Sequence, residues 1–143
     1  MSTMPSHDDA NLILKLYDLR REEKMRAARA WFVANFRFVT LEEMQKALPL
    51  GSEENAYARM VATYWDMAAS FVASGVLNQE LFFESNRECL LVWVRIRPLI
   101  ADLRQSTKDA MQYHNLETVA KAFVEWMNRR SPGSFEAFAA RVG

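Results

Sequence analysis

A single cysteine, Cys89, in 143 residues leaves this chain without a disulfide framework or a thiolate zinc cluster. Glycine and proline are scarce, four of each, whereas strands joined by tight turns would need more of them. No run of apolar residues nears the ~20 that a membrane span requires; the densest, Cys89 to Val94, is about a third of that. The first ten residues lack a basic region followed by an apolar core, so no leader is expected there. Charge of one sign is lacking too: 18 Lys+Arg balance 18 Asp+Glu, and a duplex nucleic-acid binder would show a basic excess. Nucleic acid is therefore not an expected partner, and a soluble, cytoplasmic domain is.

What is present is half apolar and one-quarter charged, the composition of a globular domain. Apolar residues recur at helical spacing over most of the chain, which predicts a single all-α domain over residues 1–143. The expected architecture is an irregular antiparallel helical bundle, four long helices plus two or three short ones, with residues 1–8 fraying. Ser6 to Asp9 and Thr40 to Glu43 are spaced as capping boxes, and Ser52 and Asn78 are candidate N-caps. Leu12, Ile13, Leu16 and Leu19, then Ala27, Ala30, Trp31 and Ala34, predict one continuous first helix to about Phe36. Gly75 supplies a left-handed stop after a long helix from Ser52. Pro98, inside an otherwise helical run, predicts a kink near Val94.

Motifs for chemistry are missing. The only histidines are His7 and His114, neither with a Glu three residues before it, so no metal or other cofactor is expected. No Gly-x-Ser-x-Gly elbow or phosphate-cradling glycine loop occurs, and Cys89 sits on the most apolar face of its helix, where a thiol is unreactive. No catalytic residue is assigned.

Two irregularities bear on function. On a continuous first helix, Arg20, Glu23 and Lys24 project within about 50° of the apolar axis. Such charges snorkel to water, pair internally (Asp66 is a conceivable partner), or anchor a ligand. Secondly, two helices are apolar over too wide an arc. Val61, Trp65, Ala69 and Val72 flank the stripe of Met60, Tyr64, Met67 and Phe71, and Leu90, Leu91 and Val94 flank the helix of Cys89. Such helices are either central to their domain or covered by a second copy, in which case Trp65, Leu90, Leu91 and Val94 form a homodimer interface. Four Trp, four Tyr, nine Phe and eight Met could also line a pocket for a small apolar ligand.

The segments Tyr64-Trp65-Asp66, Gly75 to Phe82, Trp93, Ile96-Arg97-Pro98 and Leu103-Arg104 resemble a family of small bacterial helical domains of unknown function. In that family a helix ends in a glycine turn, a short helix carries an acid-Leu-Phe or similar triplet, and a longer helix holds a tryptophan and an arginine. The likeness covers about Ala56 to Arg104 and implies a helical fold without bringing an activity or catalytic residues. Its members often carry membrane anchors, and none is expected from these residues, so their localisation is not carried over. The functional expectations rank as a self-associating, non-catalytic protein–protein interaction module, then a regulatory or carrier domain for a small apolar ligand, then an enzyme.

Overall fold

The computed structural model describes residues 4–143, and these residues form helices and connections without a β-strand. In chain order the elements are α1 (His7–Arg20), α2 (Glu23–Asn35), α3 (Leu41–Ala47), α4 (Glu53–Ala73), α5 (Gln79–Ser85) and α6 (Glu88–Ile96). A 3-10 turn (Arg97–Leu99), α7 (Ile100–Thr107), α8 (His114–Arg130) and α9 (Ser134–Val142) follow. α4 is the axis, packing chiefly on α2 and α8 and also touching α5 and α6.

Local signals place most helix starts. Ser6 and Thr40 form complete capping boxes with Asp9 and Glu43, while Ser52 and Asn78 accept from the backbone N–H groups of Asn55 and Leu81. The box at Ser6 opens α1 at His7, within the stretch 1–8 expected to fray, of which residues 1–3 lie outside the described residues. Gly75 adopts φ +84°, and Leu77 N–H reaches back to the Phe71 carbonyl, closing α4 as expected. Pro98 replaces the expected kink by one 3-10 turn between α6 and α7, because its ring removes a helical donor and crowds the preceding turn.

The first helix is a correction. It is two helices, since Arg21 closes α1 and Glu22, in a non-helical conformation, accepts from Met25 N–H at 2.8 Å to start α2. Two residues out of helical phase rotate everything downstream. Met25, Ala28 and Phe32 become the buried stripe, and Ala27, Ala30 and Ala34 are exposed.

Arg95, on α6, is 4 % exposed and has no carboxylate partner among the described residues. It donates instead to the carbonyls of Phe32 (3.2 Å), Phe36 (2.8 Å), Val33 (3.0 Å) and Val142. All four lie at the C-terminal ends of α2 and α9, where the helix dipoles are negative, and the Phe32 carbonyl also accepts from Phe36 N–H. Burial, and then the charge of Arg37, lowers the Arg95 pKa, and the converging carbonyls hold the cation in place.

Arg95→Met should lower the unfolding free energy by roughly 3 kcal/mol or more, because several buried acceptors lose their donor; urea denaturation reads this. Hydrogen bonds from backbone N–H groups hold the carboxyls of Asp9 (from Ser6, then Asn78), Glu22 (from Met25) and Glu43 (from Thr40, then Val39) below the usual range. Carboxyls depressed in the folded state contribute fully above their unfolded pKa and lose that contribution as pH falls through the lower folded values. The urea midpoint should therefore hold between about pH 7 and 5 and fall below about pH 4, with Glu43→Gln flattening the fall.

Candidate functional site

Trp65 is fully buried in the middle of α4, and its indole N–H donates to Glu88 Oε2 at 3.1 Å. Glu88, at the start of α6, is in turn gripped by one edge of the Arg29 guanidinium, with Nε to Oε2 at 2.9 Å and Nη2 to Oε1 at 3.0 Å. Arg29 Nη1 donates to the backbone carbonyl of Arg20 at 3.2 Å. The Glu88 carboxylate, chiefly through those hydrogen bonds, raises the Arg29 pKa.

Arg20 closes the loop. Its guanidinium lies 5.0 Å from the Trp65 ring and donates to Tyr64 Oη (3.2 Å) and Asn86 Oδ1 (3.1 Å). Tyr64 Oη donates onward to the Leu16 carbonyl. Burial raises the Tyr64 pKa against the opposing pull of Arg20. One connected network thus fastens α1, α2, α4 and α6 and the residue after α5. Its buried side-chain N and O atoms are all partnered, which marks it as a staple.

This replaces the polar site read from the sequence. Arg20 is 8 % exposed, but Glu23 and Lys24 face solvent, because the break at Arg21–Glu22 turns them away. Asp66 does not meet Arg20; it accepts from Leu116 N–H at 3.0 Å and caps the first turn of α8. Asn86, Arg29 and Glu88 carried no signal as Arg20's surroundings, since they come from elsewhere in the chain.

The proposed interface is corrected as well. Trp65 and Leu90 are 0 % exposed and Val94 is 5 % exposed within a single chain, with Leu91 partly buried beside them. The wide apolar arcs of α4 and α6 are covered by α2, α8 and α9. Cys89 is likewise fully buried, and desolvation pushes its thiol far above the ordinary range.

A concave surface does open nearer the start of α4, around Ala58 and Ala62. Ala58 and Ala62, one turn apart, offer only methyl groups, and Met44 of α3, Leu48 just after it, Phe36, Leu99 of the 3-10 turn and Leu103 of α7 wall the space around them. The resulting pocket holds about 320 Å³, near the lower bound for small-molecule sites. Its lining is mainly apolar, with Arg59, Asn55, Thr107, Gln112 and Tyr113 as polar groups. Asn55 is committed to the Leu48 carbonyl (3.0 Å) and accepts from Arg59 Nε (2.9 Å). Tyr113 has φ +57°, and burial raises its phenol pKa. Leu50, 93 % exposed, also lines the pocket.

The family described as "Domain of unknown function (DUF4760)" matches residues 5–126, which takes in the whole Trp65 network and all of the pocket. The chain belongs to that family. The match widens the resemblance seen over residues 56–104, and α9 lies beyond it. Nothing among curated proteins or solved structures matches the chain. Among the described residues of this DUF4760 domain, no group of three His, Cys, Asp or Glu side chains could hold a metal ion, and no helix is long and apolar enough to cross a membrane.

Leu90→Asp should unfold the domain: cavity and buried charge together cost about 5 kcal/mol or more, comparable to the whole stability of such a domain. Loss of the helical circular-dichroism signal and of a cooperative melt would show it. In the wild type, Cys89 should resist an aromatic disulfide reagent at pH 8 and react only at the rate at which urea opens the chain.

Proposed function

We propose that this domain is a non-catalytic binding module that lodges a small apolar molecule between α3, α4 and α7. The observation that carries the reading is the pocket over Ala58 and Ala62, a space whose lining is mainly apolar. Water in such a space is readily displaced by hydrocarbon, and a few polar groups suffice to orient a ligand. The reading favours a carrier or regulatory role over catalysis, because Arg20, Arg29 and Glu88 are already engaged with one another's surroundings. An irregular antiparallel bundle and a cytoplasmic setting belong to the same proposal.

Self-association is the second reading, now on a different face. Leu14 and Tyr17, three residues apart on α1, are 60 % and 48 % exposed and supply adjacent apolar surface.

N-phenylnaphthylamine, an apolar fluorophore, should bind saturably with enhanced emission. Ala58→Met, which fills the space with a flexible side chain, should weaken that binding by about tenfold, or ~1.4 kcal/mol, without lowering the melting temperature. Absence of saturable binding to the wild type, or equal binding to the filled variant, would refute the ligand reading. Sedimentation velocity of the wild type and Leu14→Asp decides the second: a dimer that the variant abolishes supports it, and a wild-type monomer at about 100 μM removes it.

A further inference from the structure

A second concave surface lies at the other end of α8. There the chain turns through Ser131–Gly133, with Gly133 at φ +83°, and α9 folds back against α6 and α8. The turn brings Arg87, Arg130 and Arg141 to one open groove of about 540 Å³, with Trp126 and Glu84 also in its lining. Three cations share that groove with one carboxylate. Glu84 is spent on Arg130, at 2.8 Å, while Arg87 and Arg141 have no ion-pair partner among the described residues. On a chain of zero net charge this is a local excess of positive charge.

The guanidiniums are also held. Arg130 lies 4.2 Å from the ring centroid of Trp126, and Arg87 and Arg141 lie 5.8 Å and 6.0 Å from that of Phe138. Both rings are themselves buried, so their positions are fixed by the core. A cation–π contact engages the face of a guanidinium and leaves the N–H groups along its edge free to donate. Ordering flexible side chains in advance lowers the entropy lost when an anion arrives. Planar forks at this density suit an oxyanion of more than one charge, for which phosphate has matching geometry.

We infer that the groove of Arg87, Arg130 and Arg141 binds a phosphate group, independently of the apolar pocket, with which it shares no residue. The group is carried either by a soluble phosphate compound or by a lipid headgroup, and the experiment separates the two. Calorimetric titration with inorganic pyrophosphate tests the first source, and co-sedimentation with phosphatidylglycerol vesicles, against phosphatidylcholine vesicles, tests the second. Saturable binding in at least one arm is expected, falling as salt rises. Arg87→Gln and Arg141→Gln should each weaken it about tenfold, as the loss of a hydrogen bond to a charged group implies. Arg26→Gln, on the exposed side of α2, should leave it unchanged. Circular dichroism confirms that these surface variants keep the fold. Binding of pyrophosphate alone assigns a soluble ligand, and binding of anionic vesicles alone assigns a headgroup. No saturable binding in either arm, or a double Arg87→Gln/Arg141→Gln variant that binds like the wild type, would overturn the inference.

Discussion

Burying an indole commits the chain to finding an acceptor for its N–H, and much of this fold follows from that one obligation at Trp65. The acceptor is Glu88, whose carboxylate is tolerable at the edge of the core only because Arg29 meets it with two parallel hydrogen bonds. Arg29 then holds the end of α1 through the Arg20 carbonyl, and the Arg20 side chain returns to cover the indole face. Helix positions that packing alone would leave free to slide are set by this circuit, since its donors and acceptors come from four different helices. Around it the apolar contacts supply the bulk of the stabilisation: Trp65 meets Phe82 edge-on, and Phe83 stacks on Phe123 at 4.3 Å.

Arg95 solves a different problem with the same side chain. The ends of α2 and α9 converge on α6, and helix ends buried together leave carbonyls that water cannot reach. A guanidinium has enough donors in one plane to satisfy several of them, and its charge opposes the negative ends of two helices. A carboxylate partner is unnecessary because the carbonyl dipoles already provide the negative potential. The same reasoning separates buried arginines from functional ones here: Arg20 and Arg95 are occupied, whereas Arg87 and Arg141 keep their edges open at the surface.

The two concave surfaces arise from opposite causes. Ala58 and Ala62 make one by being too small to fill the angle between α4 and its neighbours, a consequence of side-chain volume. The groove at Arg130 depends instead on chain reversal through a left-handed glycine, which sets α9 beside α8. Neither could be placed from helical periodicity, which says which face is apolar but not how far a neighbouring helix stands from it.

By itself the sequence determined the helical class, the caps at Ser6, Thr40, Ser52 and Asn78, the stop at Gly75 and the interruption at Pro98. Each is a contact between residues a few positions apart, so the local string contains all of its physics. It also marked Arg20 as a charge on an apolar face and Cys89 as a core thiol. The tertiary structure alone decided the break at Arg21–Glu22, which a continuous apolar pattern concealed, and with it the outward turn of Glu23 and Lys24. It alone decided that the wide apolar arcs of α4 and α6 are covered by the chain's own helices, so that Trp65, Leu90 and Val94 are core. Arg20 finds Asn86 66 positions away and Arg29 finds Glu88 59 positions away. Partners that distant are chosen by how helices pack, and packing is a property of the whole chain that no short window of residues contains.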